Sequence, residues 1–222
     1  MAPTFDFAVV LRNTGWIWLG LAGTFKLVLV SLSIALPLGL PIALLRMSRS
    51  RIVAWLSTAY LDLLRTVPTI VLLFWIYFAL PLIFNAQFSA FEAAALTLIL
   101  QYSAFFAEIF RGGIASVERG QWEAARAIGM SYRQQMKEIV LPQAVRRMIP
   151  PFFNHTIDMI KTTSIASTIS FSELLFEGTR VSADTYRPIE TFTVVAAIYF
   201  LILFGASLGV RRLEARLKLA DR

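Results

Sequence analysis

An all-α polytopic membrane protein with about five transmembrane helices is the fold class this sequence predicts. Three observations predict it. Of the 222 residues, 57% are hydrophobic and only 16% are charged, against about 25% charged in ordinary soluble domains. The apolar residues fall into runs long enough to cross a bilayer, roughly 20 residues each. The basic residues, part of a net charge of +7, gather between those runs, where Lys and Arg mark the cytoplasmic side of a membrane protein. The chain is read as one transmembrane domain over residues 1–222, without low-complexity segments or internal repeats.

The first run is Leu27 to Leu45, extended back toward Trp16, with Lys26 near one end and Pro37 and Pro41 inside. Neighbouring helices tolerate prolines that would break an isolated soluble helix. Arg46, Arg49 and Arg51 close this span, and a second is read from Tyr60 to Phe84, with Asp62, Arg65 and Pro68 in its first part. The third is Phe91 to Phe110, with Glu92 and Glu108 near its ends. A fourth segment, Ile149 to Leu175, carries Pro150, Pro151, His155, Asp158, Lys161 and a Ser/Thr-rich half. It reads as a broken or cavity-lining helix, since polar and irregular backbone is tolerated at membrane depth only where it faces protein or water. The fifth is Thr191 to Val210, followed by Arg211, Arg212, Arg216, Lys218 and Arg222. The loops after the first and third spans and the C-terminal tail hold most of the Lys and Arg. The positive-inside rule therefore places the N-terminus outside and the C-terminus in the cytoplasm. No basic n-region precedes an early apolar run, so a cleaved secretory signal is not expected.

The stretch 111–147 is polar and faces the cytoplasm in this topology. Glu123, Ala124, Ala125 and Arg126 favour helix, and Gly129 is a left-handed stop. Ser131 to Gln134 reads S-x-x-Q, a capping-box start for a second helix running through Ile139 toward Pro142. Two short helices meeting at a tight bend form a knob suited to a groove on another protein.

Here the chain resembles a known family. Glu123-Ala124-Ala125, Gly129, Ile139, Leu141 and Pro142 match the EAA loop of ABC importer permeases at each defined position. Ala107-Glu108-Ile109, Arg111-Gly112-Gly113-Ile114 and Gly120-Gln121 are similar to the branch that takes up polar amino acids. Tyr60, Arg65 and Pro68, and the cluster Lys161-Thr162-Thr163-Ser164, resemble that branch as well.

The resemblance implies a type I importer permease fold with a short cytoplasmic coupling-helix loop, in a bacterial inner membrane. It implies a second permease subunit, same or paralogous, and a pair of ATPase subunits into whose clefts the coupling loops dock. It also implies a periplasmic amino-acid-binding protein outside. Glu123 would make a charged contact at the joint or cap a helix N-terminus, and the Ala pair would allow close approach. No G-x-x-x-x-G-K-[ST] phosphate loop is present, so ATP and Mg belong to the partner ATPase, and no cofactor is expected on this chain.

His155, Asp158 and Lys161 share an arc if their segment is helical. Two readings stand side by side. Asp158 could meet a substrate ammonium and Lys161, Thr162, Thr163 or Ser164 its carboxylate; or Asp158 and Lys161 form an ion pair that neutralises both. Gln101 and Glu108 share a face of the third span, Glu108 being either a pathway residue or an interfacial helix-end charge. With one His and no Cys, no metal site and no catalytic residues are expected. Nucleic acid is not an expected partner, because the basic residues alternate with apolar runs. A secondary transporter or channel would leave the EAA-like loop without a purpose. A membrane enzyme would need a nucleophile–base pair or metal cluster, and none is found. A scaffold subunit holding an active paralogue fits the same family.

Overall fold

The computed structural model describes residues 5–219, with side chains to Leu217. Every regular element among them is helical: α1 (Ala8–Arg12), α2 (Thr14–Arg46), α3 (Arg51–Thr66), α4 (Thr69–Phe74), α5 (Leu80–Phe84), α6 (Ala90–Ala115), α7 (Arg119–Ala127), α8 (Tyr132–Gln134), α9 (Leu141–Thr162), α10 (Leu174–Thr185) and α11 (Pro188–Leu219). Three helices, α2, α6 and α11, are long and apolar enough to cross a membrane. A fourth candidate is the pair α3 and α4–α5, bent by 102° at its break. Arg222, counted above with the basic tail, lies outside the described residues.

Several boundaries move from the sequence reading. Lys26 is not near a helix end: it stands well inside α2, its ammonium 4.8 Å from the centre of the Phe91 ring. The second span does not run straight from Tyr60, because Pro68 forces extended backbone at the junction and the chain starts a new helix at Thr69. The fourth segment is broken, and the break lies in its Ser/Thr-rich half. Pro150 and Pro151 lie inside the continuous helix α9, and the irregular part is the run Thr163–Ile169, wound as a 3-10 helix and closed by Ser170 at φ 60°. That run is seven residues long, beyond the three or four usual for this poorly bonded helix type.

Nor does the helix after Ser131 stop at Pro142. It passes through a π-helical turn, Gln135–Val140, directly into α9. The same device appears before Pro81, where the turn Trp75–Ala79 precedes α5. In each case the residue before the proline bonds five residues back, Leu80 to the carbonyl of Trp75 and Leu141 to that of Met136. A proline lacks an amide and crowds the carbonyl four residues earlier, and a wider turn just upstream accommodates it.

The chain divides into two compact units. One draws on Met1–Ser33, Val67–Ile99 and Ile157–Ser207; the other on Ile34–Thr66, Leu100–Thr156 and Leu208–Arg222. The first is organised where α2 meets the turn before α10. A β-carbon on Gly23 would fall 1.9 Å from the Ser172 carbonyl oxygen, and one on Gly20 2.8 Å from that of Glu173, so only glycine permits this approach. The Leu174 amide donates to Thr24 Oγ1 at 3.2 Å. Ile17, Leu174 and Val195 form the apolar cluster beside it. In the second unit, Val117, Val140, Ala144 and Met148 form a buried cluster, and Ile109, Phe110 and Ile114 of α6 pack against it. A β-carbon on Gly113 would meet the Met148 side chain at 2.3 Å.

Candidate functional site

The loop 111–147 expected from the sequence is shortened from both sides, since α6 continues to Ala115 and α9 begins at Leu141. Between them, α7 and α8 make an elbow. The Met130 amide donates to the Ala125 carbonyl at 3.1 Å and the Gly129 amide to that of Arg126 at 3.0 Å. These are the paired bonds of a Schellman stop, and Gly129 takes the left-handed backbone it requires, at φ 80°. The next helix starts at once: Gln134 donates its amide to Ser131 Oγ while its side chain accepts from the Ser131 amide at 2.8 Å, a complete capping box. Gln135 locks the elbow from inside, its side-chain amide donating to the Met130 carbonyl at 2.7 Å. Trp122 stacks on Tyr132 across the bend, ring centres 6.2 Å apart.

What the elbow shows outward is apolar as well as charged. Ile128 is 78% exposed and Tyr132 68%. Glu123 is exposed in the middle of α7, whose N-cap is Glu118, and so does not cap its own helix. Among the described residues its side chain has no hydrogen bond or ion pair. The alanine pair is divided: Ala124 faces outward, whereas Ala125 is buried at 1% exposure and supplies the carbonyl for Met130. Of the remaining loop positions, Ile139 is half-buried, and Leu141 and Pro142 are exposed. Ile128 and Tyr132 were not among the residues singled out from the sequence; an apolar side chain immediately before the left-handed glycine was the available signal.

The proposed pathway residues fall into two groups. In the first unit, Lys161 Nζ is 3.0 Å from Asp158 Oδ1, both side chains more than half exposed. Thr162, Thr163 and Ser164 donate their hydroxyls to the carbonyls of Asp158, Ile160 and Lys161 at 2.8, 2.7 and 2.8 Å. These hydroxyls support the change of winding at the end of α9, and the ion pair is present as drawn in one of the two readings. In the second unit, buried Gln101 donates to the Leu64 carbonyl at 3.3 Å. Glu108 is shared by two arginines, Arg46 and Arg111, as ion pairs. Glu108 itself lies inside α6, seven residues before its end at Ala115. His155 stacks on Phe105, ring centres 4.8 Å apart.

A buried acidic site escaped the sequence reading. Glu173, fully buried, caps α10 by accepting the amides of Leu175 and Phe176 at 2.9 and 2.7 Å, and takes the Tyr199 hydroxyl at 3.0 Å. Glu177, also buried, accepts from Ser172 Oγ at 2.5 Å. The sequence offered only their charge.

Helices of spanning length define a membrane protein, and among the described residues a capped elbow joins α6 to α9. The model of the binding-protein-dependent transport system inner membrane component matches residues 35–219, and the chain belongs to that family. It is 35% identical over 215 residues to a probable glutamine ABC transporter permease protein, GlnM of Bacillus subtilis, covering 96% of this chain and 98% of that one. It is 37% identical to the nopaline transport system permease protein NocM of Agrobacterium fabrum, over 91% and 88% of the two chains. A crystal structure of an amino acid ABC transporter with histidines superposes with a TM-score of 0.91 at 34% identity, covering 96% of this chain and 100% of that one. The protein is thus an inner-membrane permease component of the amino-acid ABC transporter family, with the type I importer fold.

Proposed function

We propose that this chain carries a polar amino acid inward across the membrane, driven by a separate pair of ATPase subunits that grip the α7–α8 elbow. A second permease subunit completes the pathway, and an external binding protein delivers the substrate. The N-terminus lies outside and the C-terminal tail in the cytoplasm, a topology that the distribution of Lys and Arg supports. ATP and Mg act on the ATPase.

The observation that carries this reading is the elbow itself. Its backbone is fixed by the Schellman stop and the capping box, yet Ile128 and Tyr132 stand exposed beside the exposed Glu123. A rigid projection bearing two large apolar side chains and a carboxylate is suited to a protein cleft. Rigidity matters because closure of the ATPase pair can bias the permease only through a joint that does not yield. Glu123 would make the charged contact, with Gly129, Ile139, Leu141 and Pro142 shaping the joint.

Asp158, Lys161, Thr162 and Ser164 are the substrate-facing candidates in this reading. Opening of the Asp158–Lys161 pair would offer a carboxylate to an ammonium and an ammonium to a carboxylate. Relatives named for glutamine, arginine and nopaline transport carry amino acids or their conjugates, which supports that substrate class. The experiment is uptake of labelled amino acids into proteoliposomes holding the full assembly, with ATP inside and binding protein outside. Uptake that needs both supports the reading; uptake that persists without ATP and follows an ion gradient overturns it.

A further inference from the structure

Two charged side chains near the end of α3, Asp62 and Arg65, have no part in the ion pairs already described. Their place in the second unit is fixed from the buried side of the helix. Leu61 and Leu64 are buried, and Gln101 of α6 donates to the Leu64 carbonyl at 3.3 Å. Gln101 stands about 17 Å from one end of α6 and about 21 Å from the other, at 1.5 Å per residue. Arg65 is likewise about 21 Å along α3 from Arg51 at its start. Both lengths put the end of α3, where the span bends by 102°, near the middle of a bilayer whose apolar core is about 30 Å thick.

Asp62 and Arg65 are three residues apart on one helix, the spacing at which opposite charges usually pair. Here both are exposed, and neither makes an ion pair or a side-chain hydrogen bond to a described residue. The Arg65 guanidinium lies instead 6.0 Å from the centre of the Phe105 ring, whose other neighbour is the stacked His155 ring. That contact with the ring holds it away from Asp62. Glu108, one turn further along α6, is already shared by Arg46 and Arg111. Unpaired charges at this depth are expensive against hydrocarbon and face water or protein. A carboxylate and a guanidinium held one turn apart, both open, offer a matched pair of partners to a molecule that carries an ammonium and a carboxylate.

We propose that the end of α3 lines the aqueous pathway and binds the two charges of a free amino acid in transit, Arg65 taking the carboxylate and Asp62 the ammonium. This rests on the reading of the chain as an amino-acid permease and adds a site to it. A guanidinium pairs with a carboxylate through two parallel hydrogen bonds. The site reads the groups common to all free amino acids and leaves the side chain unread.

The chain contains no cysteine, so one introduced thiol reports on this place alone. Thr66→Cys, or Ala59→Cys should that variant fail to fold, puts a thiol at an exposed position beside the pair. The purified assembly is treated with a water-soluble methanethiosulfonate, with L-glutamine or L-arginine present, each beside its carboxamide. The thiol should react, and the amino acid should slow the reaction at concentrations at least about tenfold lower than its carboxamide, the loss expected for one hydrogen bond to a charged group. Arg65→Gln should remove that difference and Arg65→Lys should keep part of it. An unreactive thiol, equal protection by acid and carboxamide, or a difference that survives Arg65→Gln overturns the proposal. Labelling needs no ATP. Selective protection beside uptake that ignores ATP would therefore keep this site while the coupling reading fell, and ATP-driven uptake without protection would do the reverse.

Discussion

Replacing Gly129 tests the elbow most cleanly, because the cost can be worked out beforehand. Its φ is 80°, and a β-carbon at this position would meet nothing within 4 Å. The penalty is therefore conformational and not steric. A residue with a β-carbon held in left-handed backbone costs about 1–2 kcal/mol, a factor of roughly 5–30 in any equilibrium that requires the native elbow. Gly129→Ala should weaken ATPase binding by that factor. Gly129→Asn should lose less, since Asn visits this region more readily. Gly129→Val should lose the most and abolish transport while inserting normally. Gly120→Ala is the control: its β-carbon also meets open space, without the positive φ. The assay is titration of the purified ATPase onto detergent-solubilised permease, with uptake measured in parallel. Binding and uptake by Gly129→Val equal to the wild type would refute the reasoning.

Three further outcomes follow from named contacts. Gly23→Ala puts a methyl group into the Ser172 carbonyl, so it should lower the melting temperature in detergent by several degrees, as overpacking by about 1–3 kcal/mol does; Gly15→Ala, with open space around it, should leave melting unchanged. Asp158→Asn should scarcely alter melting, because an exposed ion pair contributes at most about 1 kcal/mol, yet should weaken uptake of cationic amino acids more than neutral ones; equal loss for all substrates would favour a purely structural pair. Glu108→Gln leaves Arg46 and Arg111 without their shared carboxylate and should reduce stability by about 1–3 kcal/mol, measured by thermal melting, while the ratio of uptake rates among amino acids stays constant.

The parts legible in the sequence were those set by local chemistry. The left-handed stop at Gly129 and the capping box from Ser131 to Gln134 involve residues within a few positions of each other, so spacing alone reveals them. Long apolar runs likewise located α2, α6 and α11. What the sequence concealed depended on distant partners. Gly20 and Gly23 look like ordinary residues of an apolar helix until Ser172 and Glu173 are brought against them. Glu173 shows only its charge until Leu175, Phe176 and Tyr199 supply its hydrogen bonds. Proline was the least dependable signal. Pro68 ended a helix, Pro150 and Pro151 sit inside one, and Pro142 was absorbed by a π-turn. The difference lies in whether the surrounding backbone can re-bond the freed carbonyl.

The most direct test of the central claim is affinity purification of the tagged chain from native membranes in mild detergent, with mass identification of what accompanies it. The account predicts an ATPase subunit that co-purifies with the wild type and is lost from the Glu123→Arg, Gly129→Val double variant, while the permease partner stays. A stable assembly that contains no ATPase would contradict it and move ion-driven transport to the front.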